Sequence, residues 1–189
     1  MVNIYKPKFT LLQQEILRYL FAKTDITFNA RTLAIKLNKT QAGIIKALPL
    51  LEKENLIKIK KDKESKRWSI SLNKDNQKSI NLKRIENLRI IYESNLAEYL
   101  RETFPGTTII LFGSYSRGED IWTDNENGHQ SDIDITIIGT KQKNINLSRF
   151  EKIIERKISI NFYKSFKEIH KNLKENILAG ILISGNIEL

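Results

Sequence analysis

The sequence predicts an α+β protein in two parts: three helices with a β-hairpin, then a small α/β domain around a short mixed sheet. Three observations carry that prediction. Apolar spacing switches between the helical and the extended period along the 189 residues. Positive charge is concentrated at one end: residues 1–75 hold 16 Lys+Arg and 7 Asp+Glu, whereas 76–189 hold 16 and 15. Two turns, Gly113-Ser114-Tyr115-Ser116-Arg117-Gly118 and Ser131-Asp132-Ile133-Asp134, each adjoin an apolar run that reads as a buried strand.

Composition narrows the class further. Apolar residues make up 40% of the chain, enough for a packed core, and the 29% charged content is spread among apolar runs, unlike a disordered chain. No apolar segment approaches the ~18 residues that span a bilayer. The start, Met1-Val2-Asn3-Ile4-Tyr5-Lys6, lacks a signal-peptide apolar block. A cytoplasmic protein without a membrane partner is expected. Cysteine is absent, which excludes disulfides and thiolate metal sites, and two histidines make a zinc site a poor fit.

The elements follow in order. Leu12, Ile16, Leu17, Leu20 and Phe21 recur at helical spacing, and Thr10 precedes them as an N-cap. Ile26-Thr27-Phe28 is a short extended piece. Asn29 caps a second helix, Ala30 to Leu37. Asn38-Lys39-Thr40 turns the chain, and Thr40 caps a third helix from Gln41. Pro49 falls inside that helix, where a proline costs about 3 kcal/mol, so a kink is expected there, beyond the helix start. Ile57-Lys58-Ile59-Lys60 and Trp68-Ser69-Ile70-Ser71-Leu72 alternate as half-buried strands do, with the charged loop Lys61 to Arg67 between them.

This pattern, over about 8–73, resembles a winged helix-turn-helix domain. The resemblance implies that the helix from Gln41 enters a DNA major groove, with Thr40, Gln41 and Lys46 facing bases or phosphates. It also implies that Lys61, Lys63, Lys66 and Arg67 on the wing contact backbone phosphates. The positive balance of this part independently calls for an anionic partner, nucleic acid first, or else serves as a solubilising surface. A protein-binding or spacer role for the domain stays open.

The polar stretch 73–79 marks a boundary, with domains expected over 1–75 and 76–189. A long helix is expected over about 81–103, with Leu82, Ile85, Leu88, Ile91, Leu96, Tyr99 and Leu100 as its apolar positions. It would pack on the sheet or on a second copy in a homodimer. Pro105-Gly106 ends it. Strands follow at Thr107–Phe112, Asp132–Ile138 and Ile158–Phe162. A helix is expected from Leu147 to Glu155, and a C-terminal one from about Lys167.

The two turns carry the chemistry. A glycine-serine turn leaving a buried strand can aim backbone N–H groups at phosphate. Aspartates at i and i+2 of a strand share a face, where their oxygens can hold a divalent cation. Phe112-Gly113-Ser114-Tyr115-Ser116-Arg117-Gly118 with Ser131-Asp132-Ile133-Asp134-Ile135 resembles the DNA polymerase beta-like nucleotidyltransferase superfamily, and within it the minimal nucleotidyltransferases of prokaryotes. The resemblance covers about 83–165. It implies that Gly113 and Ser114 hold the phosphates of a nucleoside triphosphate, and that Asp132 and Asp134 are the catalytic pair ligating Mg2+ or Mn2+. Transfer of a nucleotide to an acceptor hydroxyl would follow. Arg117 would add a phosphate contact, or pair with Glu119 or Asp120. Tyr115 and Ser116 would face solvent or pack locally. Proteins of this kind often pair with a small helical toxin, so a toxin-like partner is a further expectation.

Two departures stand out. The segment Glu119–Gln130 is long for the family; it is read as an inert insertion or a nucleotide-covering loop, and its His129 as a plain loop residue or a catalytic one. The third carboxylate that the family carries on the following strand is missing: the candidate positions are Ser159 and Asn161, with Glu151 and Glu155 as possible substitutes from the helix before. The alternative function is therefore a catalytically degenerate DNA-binding regulator, or an antitoxin-like partner, using the domain for nucleotide sensing or dimerisation.

Overall fold

A computed structural model describes residues 6–62, 67–122 and 131–187. They divide into two units. The first comprises residues up to Ile80 together with Ile121 and Trp122; the second comprises Asn81–Asp120 and the described residues from Ser131 onward.

In the first unit, polar caps set the helix starts. Thr10 and Gln13 form a reciprocal capping box at the head of α1, Leu11–Ala22. Asn29 accepts from Thr32 N to open α2, Ala30–Lys36, and Thr40 accepts from Gly43 N to open α3, Gln41–Lys53. Each cap is worth about 1 kcal/mol. The α2–α3 turn passes through Asn38 in the left-handed region, a conformation asparagine tolerates. α3 continues past Pro49 to Lys53. Ile16, Leu20, Leu33, Ile44, Leu48 and Leu51 are fully buried between the helices. The antiparallel hairpin of β1, Ile57–Lys61, and β2, Trp68–Leu72, closes the unit with Ile59 opposite Ile70. Phe28 bridges to Ile70 on the other side. Three capped helices and a two-stranded wing make this a winged helix-turn-helix. Trp122 belongs here too: its backbone N–H donates to Thr24 O at 3.1 Å, and Lys23 Nζ lies 3.2 Å from its ring centroid.

The second unit is built on a mixed sheet in the order β5-β4-β3-β6. Its strands are β3, Thr108–Phe112; β4, Ile133–Ile138; β5, Ile158–Tyr163; and β6, Ile181–Ser184. β4 and β5 are parallel, and β3 is antiparallel to both of its neighbours. One sheet face, with Ile133, Ile135 and Ile137, packs against Leu100 and Phe150 of two covering helices. The other face buries Ile110, Phe112 and Ile138 against Phe166, Ile169 and Ile177. The intervening helices are α4, Gln77–Glu93; α5, Leu96–Thr103; the five-residue α6, Gly113–Arg117; α7, Ser148–Ile154; and α8, Lys171–Leu178.

Three expectations need correction. The single helix over 81–103 is two helices, because Asn95 adopts a left-handed φ of 62° between α4 and α5. The buried positions of α4 are Ser79, Lys83, Glu86, Asn87 and Ile91, while Ile85 is 64% exposed. This helix therefore buries a polar stripe, Ser79, Lys83, Glu86 and Asn87, alongside Leu88 and Ile91 of the apolar one read from sequence, and only Ile85 of that stripe faces out. The C-terminal segment is a 3-10 turn, Phe166–Glu168, then α8 and an edge strand β6. Gly180 allows that last reversal: a side chain there would collide with Leu111 O of β3. Among the described residues no helix is long and apolar enough to cross a membrane.

Candidate functional site

β3 delivers the chain to Gly113, whose φ of +75° is open to glycine at little cost. There is no room for more: a Cβ at Gly113 would collide with the carboxylate of Asp134. The turn glycine and the second aspartate are thus in direct contact. Gly113→Ala is expected to lose at least about 1–2 kcal/mol of stability from the backbone conformation alone, read as a lowered urea midpoint.

Register explains the meeting. Phe112 of β3 lies opposite Asp134, and Asp134 lies beside Ser159 of β5. Asp132 and Asp134 share a face of the strand, and Ser159 Oγ donates to Asp132 Oδ2 at 3.3 Å. Asp132 is exposed and Asp134 half-buried. Burial raises the Asp134 carboxyl above its ordinary value, the negative charge of Asp132 adds to this, and the nearby Arg117 guanidinium partly offsets both. Two carboxylates that repel one another at a half-buried strand end form a donor set suited to a hard divalent cation.

The remaining predicted positions sort as follows. Ser114 is half-buried in α6. Arg117 Nε pairs with Glu119 at 2.7 Å, both side chains being partly exposed. Tyr115 and Ser116 do not face solvent; both are 2% exposed, and Ser116 Oγ donates to Gly113 O at 2.8 Å. Asn161 sits one row further along β5, beside Thr136. The described residues contain no cluster of three or more metal-type ligands. Glu151 is otherwise engaged: it accepts from Ile158 N at 3.1 Å and pairs with Lys157 at 3.6 Å, on a helix that packs against the opposite face of the sheet. Glu155 is exposed at the left-handed end of α7. His129 and the centre of the 119–130 segment lie outside the described residues.

Sequence reasoning passed over a buried polar cluster behind α6. Asp120, 1% exposed, meets Lys83, Asn87 and Arg156. The only signal was the lysine and asparagine inside the apolar stripe of α4.

In the winged helix, Gln41 and Ile45 of α3 line one cleft with Asn29, Arg31, Arg67 and Trp68. Lys46 is exposed on α3, and Lys61 Nζ lies 4.6 Å from the Trp68 ring centroid. Thr40 spends its hydroxyl as the α3 cap, accepting from Gly43 N at 3.1 Å. Lys63 and Lys66 lie outside the described residues. The acids of this unit are largely engaged elsewhere. Glu54 is held at about 2 by hydrogen bonds from Lys78 and Lys8, and Glu15, Asp25 and Asp75 pair with Lys39, Lys74 and Lys58.

Comparison with known proteins gives two sets of likenesses. Residues 93–182 match the family model described as a nucleotidyltransferase domain. Among solved structures the chain is similar to the adhesin competence repressor AdcR from Streptococcus pyogenes, at 22% identity and TM-score 0.40, covering 51% of this chain and 67% of that one. It is also similar to the zinc-responsive MarR family member ZitR from Lactococcus lactis, at 26% identity and TM-score 0.37, covering 51% of this chain and 62% of that one. The S. aureus MepR–DNA complex is a third, at 21% identity and TM-score 0.37, covering 50% and 77%. At these scores the likenesses are loose, and the winged helix rests on its own caps, helices and hairpin. No curated protein matches the chain. This is a protein with a nucleotidyltransferase domain over residues 93–182, preceded by a winged helix-turn-helix.

Proposed function

We propose that the second unit binds a nucleoside triphosphate with a divalent cation, and transfers the nucleotide to an acceptor hydroxyl. The observation that carries this reading is the contact of the Asp134 carboxylate with the turn glycine Gly113, since it supports a proposed cation ligand standing beside the turn proposed to face phosphate. Asp132 and Asp134 hold Mg2+ or Mn2+, with the Ser159 hydroxyl and the Asn161 carbonyl as the neutral oxygens nearest in register. The cation, when bound, neutralises the triphosphate and supports in-line displacement at the α-phosphorus. Gly113 and Ser114 hold the terminal phosphates and orient the leaving pyrophosphate. In the transfer, the acceptor oxygen bonds to the α-phosphorus, the bond to the bridging oxygen breaks, pyrophosphate departs with that electron pair, and the acceptor proton passes to water.

Arg117 supports the same phosphates once released from Glu119. Glu119→Gln is therefore expected to tighten triphosphate binding by up to about fivefold, because an exposed ion pair is worth about 0.2–1 kcal/mol. Titration calorimetry with Mg2+-triphosphate checks this.

The transfer itself is tested by incubating the full chain with α-labelled triphosphates, Mg2+ and candidate acceptors, among them small toxin-like proteins of the class the family resemblance implies. Label on an acceptor supports the reading, and no label with any of the four nucleotides sinks it. A second reading is favoured by Ser159 standing beside Asp134, where an acid is expected: the domain retains the nucleotide and acts as a sensor.

We further propose that the winged helix binds DNA through the start of α3 and the wing. Exposed Lys46 and the Lys61–Trp68 pair meet phosphates, and Gln41 reaches base edges. Affinity should fall steeply with salt, and reversing Lys46 and Lys61 to glutamate should flatten that slope by about two charges' worth. Fluorescence anisotropy over a salt series measures both.

A further inference from the structure

Burying ions is costly, and hydrophobic replacements of buried ion pairs are often neutral or stabilising, so such a cluster suggests a positional role. Lys83 is fully buried, Asp120 is 1% and Arg156 5% exposed. Lys83 Nζ lies 2.8 Å from Asp120 Oδ1 and also donates to Asp120 O. Asn87 Nδ2 donates to Asp120 Oδ1 at 2.7 Å and to Tyr115 O at 2.9 Å. Arg156 donates to Asp120 Oδ2 at 3.2 Å.

The cluster joins two parts of the site. On one side is α6, five residues long, too short to hold itself as a helix. Asn87 fixes its carbonyl at Tyr115. On the other side is the turn before β5. Arg156 lies in it, and the next residue, Lys157, accepts from Ile133 N at 2.8 Å at the entry to β4, between Asp132 and Asp134.

We propose that Asp120 is a positioning residue: through Asn87 and Arg156 it sets the distance between the Gly113-Ser114 turn and the Asp132–Asp134 pair. The inference rests on the nucleotide-site reading for its purpose, but not for its geometry. Removing the carboxylate frees α6 to shift against β4 while the apolar core of the unit is untouched.

The test is amide hydrogen exchange on the full chain, comparing wild type with Asp120→Asn and Asn87→Leu. Ile177→Ala, in the apolar cluster on the other sheet face, serves as a control for general destabilisation. Exchange in residues 113–120 and 132–135 is expected to rise roughly tenfold or more in the first two variants, since a lost buried hydrogen bond to a charged group has that consequence. Exchange in α8 and β6 is expected to stay unchanged there and to rise in the control. Should Asp120→Asn fail to fold, Asn87→Leu gives the same readout, as it removes one amide and no charge. In the same variants, the Kd for Mg2+-triphosphate is expected to weaken by a similar factor. A uniform rise across the unit overturns the proposal, as does unchanged affinity in a variant whose turn has loosened. If wild type binds no triphosphate, the nucleotide reading fails, and the exchange pattern still decides whether Asp120 positions the turn.

Discussion

Asp132→Ala is expected to lower nucleotide transfer by about a thousandfold or more, because a bound cation supplies several kcal/mol of charge stabilisation. Asp134→Asn should be nearly as damaging. The two differ in a second readout, the stability of the metal-free protein. Burial and the Asp132 charge raise the Asp134 carboxyl above its ordinary value. The fold therefore favours the protonated form, and this group costs stability as pH climbs above the ordinary carboxylate range. Asp134→Asn removes that cost, so the metal-free variant is expected to melt higher than wild type at neutral pH, and equal to it near pH 3. Glu98→Ala, on the exposed Glu98–Arg101 pair, should leave transfer unchanged. Label transfer and melting curves across pH check all three. Retained transfer in Asp132→Ala would remove the cation from the account.

Ser159→Asp is expected to act in the opposite direction. Ser159 touches Asp132 and lies beside Asp134, so an aspartate there completes a three-carboxylate set. Without metal, the third negative charge adds repulsion, and the melting temperature should fall. With Mn2+ it should rise above that of wild type, because the cation now meets a third anionic ligand. Transfer should increase by about a hundredfold or more, in the range of an added acid–base group. If wild type transfers nothing and Ser159→Asp does, the sensor reading holds for the natural chain. If Ser159→Asp changes neither metal affinity nor transfer, Ser159 does not occupy the third-ligand position.

Much of this architecture was legible because it rests on local signals. Thr10, Asn29 and Thr40 are cap residues followed by apolar spacing, and each opens a helix. The runs ending at Phe112 and beginning at Ile133 are strands because they are buried on both faces. What was missed depends on distant partners. Nothing local says that Lys83 is buried, since its counter-ion Asp120 is 37 residues away. Leu88 and Ile91 pack inward as their spacing predicts, whereas Ile85 stands exposed while Lys83 and Asn87 are buried. β6 hides behind an α-helix in sequence, and only the close passage of Gly180 along β3 shows why it pairs there. At the site, the spacing of Asp132 and Asp134 was readable, but the contact of Asp134 with Gly113 required the register of β3 against β4. The separate register of β4 against β5 places Ser159 rather than Asn161 in the row of Asp134.

Trp122 has a practical bearing on how this protein can be cut. It lies inside the stretch that matches the nucleotidyltransferase family, 93–182, yet its backbone and ring are anchored to Thr24 and Lys23. A fragment starting after the hairpin would keep every proposed site residue of the second unit and still strand this tryptophan, leaving its indole bare. Such a piece invites aggregation, and its silence in an assay would say nothing about the chemistry of Asp132. The two halves are interlaced in the chain and should be produced, mutated and compared as one.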